Sequence, residues 1–191
     1  MPRVVHVFRQ PERFIAGTVG QPGDRTFYLQ ATMQAKTVSV SLEKQQVSML
    51  AERLNALLEE IRRQFGAEVP AESPSELVDS DPLLVPIDEE FRVGTMGLGW
   101  DAESNCVVVE LLEMTEGEVD ESVVLDDAEE GPDALRVFLK PAVAKAFAER
   151  AELVVNAGRK PCPLCGEPLE PDGHVCPRLN GYRRLSEDAE E

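Results

Sequence analysis

The chain has 191 residues, 42% of them apolar, which suffices for one compact domain with a real core plus a small appendage and is too little for two enzyme domains. Nineteen basic against 36 acidic residues leave a net charge of −17, which speaks against a broadly nucleic-acid-coating surface. No apolar run reaches the roughly 18 residues of a membrane span, and the start MPRVVHVFRQPERF meets proline and charge before a signal-peptide core forms, so a soluble cytoplasmic protein is expected.

In chain order, the VVHVF segment predicts an extra edge strand. A strand around Phe14 follows, then the turn Gln21-Pro22-Gly23-Asp24, and a second strand over Thr26 to Ala31. In the third, Val38, Val40 and Leu42 alternate with Thr37, Ser39 and Ser41, as a sheet with one buried face requires. Val47, Leu50, Ala51, Leu54, Leu57, Leu58 and Ile61 recur at helical spacing and predict a covering helix.

The same series returns. Strands are expected around Phe91, over Cys106 to Leu112, and over Leu135, Val137 and Leu139, which alternate with Arg136, Phe138 and Lys140. A helix carrying Val143, Phe147, Ala151 and Val154 follows, with Pro141 in its first turn and Gly158 at its end. Residues Glu12 to Gly20 align with Glu89 to Gly97, and Leu50 to Arg53 with Phe147 to Arg150. The expected fold class is α+β, with two pseudo-symmetric β-meander-plus-helix repeats, about 4–66 and 89–157. Related by an approximate two-fold, they form a mainly antiparallel sheet or two packed sheets within a body of residues 1–157.

Residues 67–90 carry eight acids and residues 115–133 nine, with no base in either stretch, so the two account for the whole imbalance. Their proline, glycine and lack of periodicity are those of solvated acidic connectors. The paired Gly-Thr-x-Gly segments, Gly17 to Gly20 and Gly94 to Gly97, lack the lysine and the helix start of a phosphate loop. They fit a bulge or a close backbone approach near the symmetry axis instead. Trp100 suits a pocket mouth or the core equally well.

The tail carries the chemistry. Cys162 and Cys165 form a C-x2-C knuckle, and His174 and Cys176 a tighter pair eight residues later. Three thiolates and an imidazole joined by a short Gly- and Pro-rich hairpin suit a tetrahedral zinc ion, with Gly166 and Gly173 permitting the turns. Four protein ligands leave no position for an activated water, so the zinc is expected to be structural, contributing on the order of 10 kcal/mol to ordering an element of 158–184. A deaminase would need H-x-E where His174-Val175-Cys176 stands. A redox pair at Cys162 and Cys165 would leave His174 and Cys176 unexplained. Cys106 reads as a small buried hydrophobe. Residues 185–191 are expected to be an acidic disordered tail.

His6 is the only histidine outside that set, and no dinucleotide, kinase or metalloprotease motif is present. Arg178, Asn180, Tyr182, Arg183 and Arg184 form a candidate recognition surface beside the second knuckle, suited to docking or a protein partner ahead of nucleic acid.

The segments ERFIAGTVGQPG, EFRVGTMGLGWD, CPLCG, GHVCPR and NGYRR resemble an actinobacterial family of unknown function over nearly the whole chain. That resemblance implies a zinc-ribbon-like ending and no particular activity. The residues point to a non-enzymatic, zinc-ribbon-containing binding or adaptor protein. The first alternative is an enzyme acting on a phosphorylated or nucleotide small molecule in the inter-repeat groove, and the second is nucleic-acid binding through the basic ribbon.

Overall fold

The computed structural model describes residues 2–117, 123–158, 160–167, 169 and 174–178. Seven strands form one sheet: β1 (Val5–Arg9), β2 (Arg13–Gln21), β3 (Asp24–Met33), β4 (Lys36–Leu42), β5 (Glu89–Asp101), β6 (Cys106–Glu113) and β7 (Ala134–Leu139). Helix α1 (Lys44–Phe65) follows β4, and α2 (Pro141–Asn156) follows β7. The class is α+β, and none of the described helices is long and apolar enough to cross a membrane.

Local chemistry accounts for the element boundaries. Pro22 and Gly23, the latter at φ +95°, close the β2–β3 hairpin between paired Gln21 and Asp24, as a proline-then-glycine turn should. Helix α1 opens with the Glu43 N–H donating to Gln46 Oε1 at 2.8 Å and ends at Gly66, which sits at φ +63°. Pro141 occupies the start of α2, where its missing N–H costs nothing.

The strand order is β1-β7-β6-β5-β4-β3-β2. Four neighbouring pairs are antiparallel, while β4–β5 and β1–β7 are parallel. This corrects the expected two-fold. The third strand of the first meander lies beside the first strand of the second and runs the same way, a displacement along the sheet in place of a rotation. The physical reason is the connection: α1 carries the chain from β4 across the sheet, so β5 starts from the same end as β4 did. Consequently the two Gly-Thr-x-Gly segments do not flank an axis, Gly17 being in the edge strand β2 and Gly94 in the central β5.

The sheet is also strongly curled. Strands β1 and β2 lie at opposite edges yet are joined by Gln10, Pro11 and Glu12 alone, a link that spans at most about 14 Å. Six strand spacings in a flat sheet would separate them by about 29 Å. The curl brings β1 against β3, with Lys36 Nζ 5.5 Å from the Phe8 ring centroid. The helices fill the concave side. Phe14 stacks on Phe147 at 4.5 Å, and Val40, Val109, Leu111, Leu135 and Val137 join Leu54, Leu58 and Ile61 in one core.

The convex side differs from expectation. Ser39, Ser41, Arg136 and Phe138, placed by alternation on a solvated face, are all buried. The acidic connectors cover Ser39, Ser41 and Arg136, and so are not merely solvated, while the Arg9 guanidinium lies over the Phe138 ring. Buried Gln30 donates to Ser39 Oγ at 3.0 Å and to the Leu84 carbonyl at 3.1 Å, and accepts the Leu84 N–H at 2.8 Å. Leu83 lies on Gly17, where a Cβ would stand 2.6 Å from Leu83 Cγ. Arg13 grips Asp79 with two donors, Nε to Oδ2 at 2.5 Å and Nη2 to Oδ1 at 2.9 Å. In the second connector Val124 and Leu125 rest on Gly97 and Gly99, whose missing side chains make room for them.

Candidate metal centre

Lys160 and Cys162 face Leu169 and Glu167 in a short ladder. The Cys162 N–H donates to the Glu167 carbonyl at 2.7 Å, and the Leu169 N–H to the Lys160 carbonyl at 2.9 Å. At the tip the Gly166 N–H donates to the Cys162 carbonyl at 2.8 Å, with Gly166 at φ +76°, a left-handed conformation that favours glycine. This tight turn aims the Cys162 and Cys165 side chains the same way. His174 and Cys176 approach from the other side, and Gly173 lies outside the described residues.

The Cys162 and Cys176 sulfurs are 3.9 Å apart, and Cys165 Sγ lies 3.0 Å from His174 Nε2. All four ligand atoms fall within 4.8 Å of one another. A tetrahedral zinc site with metal–sulfur bonds near 2.3 Å has sulfur–sulfur edges of about 3.8 Å, so this spacing can hold one ion. Cys162 and Cys176 are buried, while Cys165 and His174 are half-buried. The backbone N–H groups of Cys165 and Leu164 point at the Cys162 sulfur and bring its pKa down to about 6, favouring the thiolate that a metal needs. Burial pushes the Cys165 thiol up, a cost that a bound cation offsets.

The other singled-out residues are dispersed. Arg178 is exposed beside Cys176, and Asn180, Tyr182, Arg183, Arg184 and the tail 185–191 lie outside the described residues. His6 Nε2 is 3.1 Å from Glu90 Oε1, its one hydrogen-bond partner among the described residues, so no nucleophile stands beside it there. Cys106 is fully buried. Trp100 is half-buried, with its ring 6.4 Å from Phe65 at the far end of α1.

Sequence reasoning missed a buried charge cluster. Glu110, fully buried on the convex side of β6, accepts from Arg136 Nε at 3.0 Å and Nη2 at 2.8 Å, with Arg3 Nη2 at 3.5 Å. Arg136 reaches on to Asp127 at 2.6 Å, and the Leu125 N–H donates to the second Glu110 oxygen. The signal was present in the pairing of Glu110 with Arg136 across two strands, though only known register could reveal it. Through Leu125 and Asp127 the cluster clamps the second connector onto β6 and β7.

Comparison with the curated proteins and with the solved structures found no match to either. A family model does match, over residues 6–176, which include all seven strands apart from the first residue of β1, both helices and all four residues of the Cys/His cluster. The chain therefore belongs to the family described as "Protein of unknown function (DUF3090)".

Proposed function

We propose that this protein is a non-enzymatic binding or adaptor protein of the cytoplasm, in which Cys162, Cys165, His174 and Cys176 hold a structural zinc ion in a zinc-ribbon-like element. The closeness of the four ligand atoms, all within 4.8 Å, carries the proposal. Every corner of the tetrahedron is then a protein atom, and none is left for a water to be activated. The body acts as the scaffold. Two successive three-strand-plus-helix units, with Glu12 to Gly20 paralleling Glu89 to Gly97 in sequence, support an origin by internal duplication. The exposed Arg178 and the following Asn180, Tyr182, Arg183 and Arg184 offer the recognition surface for a protein partner.

A cavity of about 460 Å³ on the body is lined by Arg13 and Arg150. Arg13 donates to Asp79, Asp81 and Pro82, and Arg150 to Ala16, Asp79 and Asp81. Guanidinium groups committed in this way are poor anchors for a substrate phosphate, which weighs against the enzyme alternative.

Metal analysis of purified protein tests the proposal, together with capture of native partners by wild type and by Cys165→Ser. One zinc per chain, lost along with partner capture in the variant, is the expected result. Substoichiometric metal in freshly purified protein would overturn the zinc assignment. Turnover of a phosphorylated or nucleotide compound, abolished by a substitution in the body, would overturn the non-enzymatic one. Salt-sensitive nucleic-acid binding lost on replacing Arg183 and Arg184 with alanine would reassign the recognition surface.

A further inference from the structure

Strand β5 is longer than its support on one side. β4 pairs with it over Glu89–Arg92, whereas β6 pairs with it over Val93–Asp101. From Thr95 to Asp101, the edge turned toward β4 has no strand partner among the described residues, and alternate residues there direct N–H and C=O groups outward. Helix α1 runs alongside this stretch. At its start Gln46 Nε2 donates to the carbonyls of Val93 and Gly94, each at 3.1 Å, and at its end Phe65 meets Trp100. The middle of α1, Ala56 and Leu57, is therefore level with the middle of the free edge, Gly97 and Leu98.

Between them lies an open groove of about 320 Å³, floored by Met96 and Leu98 and walled by Leu50, Ala56 and Leu57. Two exposed charges also line it, Arg53 and Glu60. They are opposite in sign and separated by two helical turns, about 10 Å, with Ala56 and Leu57 midway between them. A two-fold axis through that midpoint sets a second α1 antiparallel to the first. It places Arg53 of each copy against Glu60 of the other, small Ala56 against Leu57, and the free β5 edge against its own equivalent. Self-complementarity about one point, in charge, size and main-chain hydrogen bonding together, is the requirement for an isologous contact.

We infer that the Thr95–Asp101 edge of β5 and the Arg53–Glu60 flank of α1 form an interface with a second copy of this chain, joining two seven-stranded sheets through antiparallel β5 strands. The interface is remote from the cysteine cluster in sequence and stands or falls independently of the zinc proposal. It answers two liabilities at once: an unpaired strand edge, which invites promiscuous pairing, and a half-buried apolar groove.

Sedimentation equilibrium of the full chain tests it, with Arg53→Glu, Glu60→Arg and the two combined. These residues are exposed, so the fold survives each change. The expected result is a species of twice 21.1 kDa whose dissociation constant rises about tenfold or more in each single variant and returns toward wild type in the double variant. Hydrogen exchange of the Thr95–Asp101 amides should slow as protein concentration rises. A mass of one chain at all concentrations, or a dimer indifferent to both charges, would overturn the inference. So would a monomer whose Thr95–Asp101 amides are protected only by a different added protein, an outcome that assigns the edge to a foreign strand.

Discussion

The carboxylate of Glu110 and the guanidinium of Arg136 face each other across β6 and β7 in register, joined by two hydrogen bonds of 3.0 and 2.8 Å, with Glu110 wholly shielded from water. Removing one member leaves the other charged and desolvated. Glu110→Gln should therefore destabilise the protein by about 3–5 kcal/mol in chemical denaturation. Glu110→Leu combined with Arg136→Met should lie closer to wild type than Glu110→Leu alone, because no orphaned guanidinium remains at position 136. A double variant as unstable as the sum of the two singles would show that the pair is not coupled.

Gly97 gives way to the second connector. A Cβ there would stand 2.1 Å from Val124 Cγ1, and pairing with Glu110 of β6 holds Gly97 in register. Gly97→Ala should cost about 1–3 kcal/mol by overpacking. Gly117, with nothing within 4 Å of a Cβ, serves as the control, and Gly117→Ala should stay within about 0.5 kcal/mol of wild type. Thermal unfolding of the two variants side by side decides it.

Acid should loosen the first connector before the body unfolds. The hydrogen bonds from Arg13 hold the Asp79 carboxyl below the usual carboxylate value, so its folded-state pKa is depressed. The stability it contributes is complete above pH about 4, where the unfolded chain is also ionised, and is lost as pH falls through the lower folded-state value. Asp79→Asn should flatten that part of the stability–pH curve and cost about 1–3 kcal/mol at neutral pH. Proteolysis within residues 67–88 at low pH provides a local readout.

Thiol labelling should separate the four cysteines into two classes. Cys106 is fully buried in β6 and should resist a thiol reagent under native conditions with or without metal. With zinc bound, Cys162, Cys165 and Cys176 should be protected too. Chelation should expose those three and leave the melting of the body unchanged, since among the described residues the four ligands all come from residues 162–176. Concerted melting of the body on chelation would show that the cluster supports it directly.

Periodicity and spacing alone determined the strand and helix order, the turn at Pro22 and Gly23, the start of α2 at Pro141 and the membership of the Cys/His cluster. Each is set by neighbours within a few residues: alternation of Val38, Val40 and Leu42, three-and-four spacing from Val47 to Ile61, two cysteines one turn apart. Tertiary structure alone decided which strand edges meet, what covers the convex face and where charge is buried. Arg13 and Asp79 are 66 residues apart, Glu110 and Arg136 are 26 apart, and the parallel join of β4 to β5 depends on where α1 delivers the chain. A local pattern shows that a residue alternates. Whether the face it points to meets solvent or a strap of distant chain is settled by packing, which is why serines and an arginine placed by alternation on a solvated face are found beneath the acidic connectors.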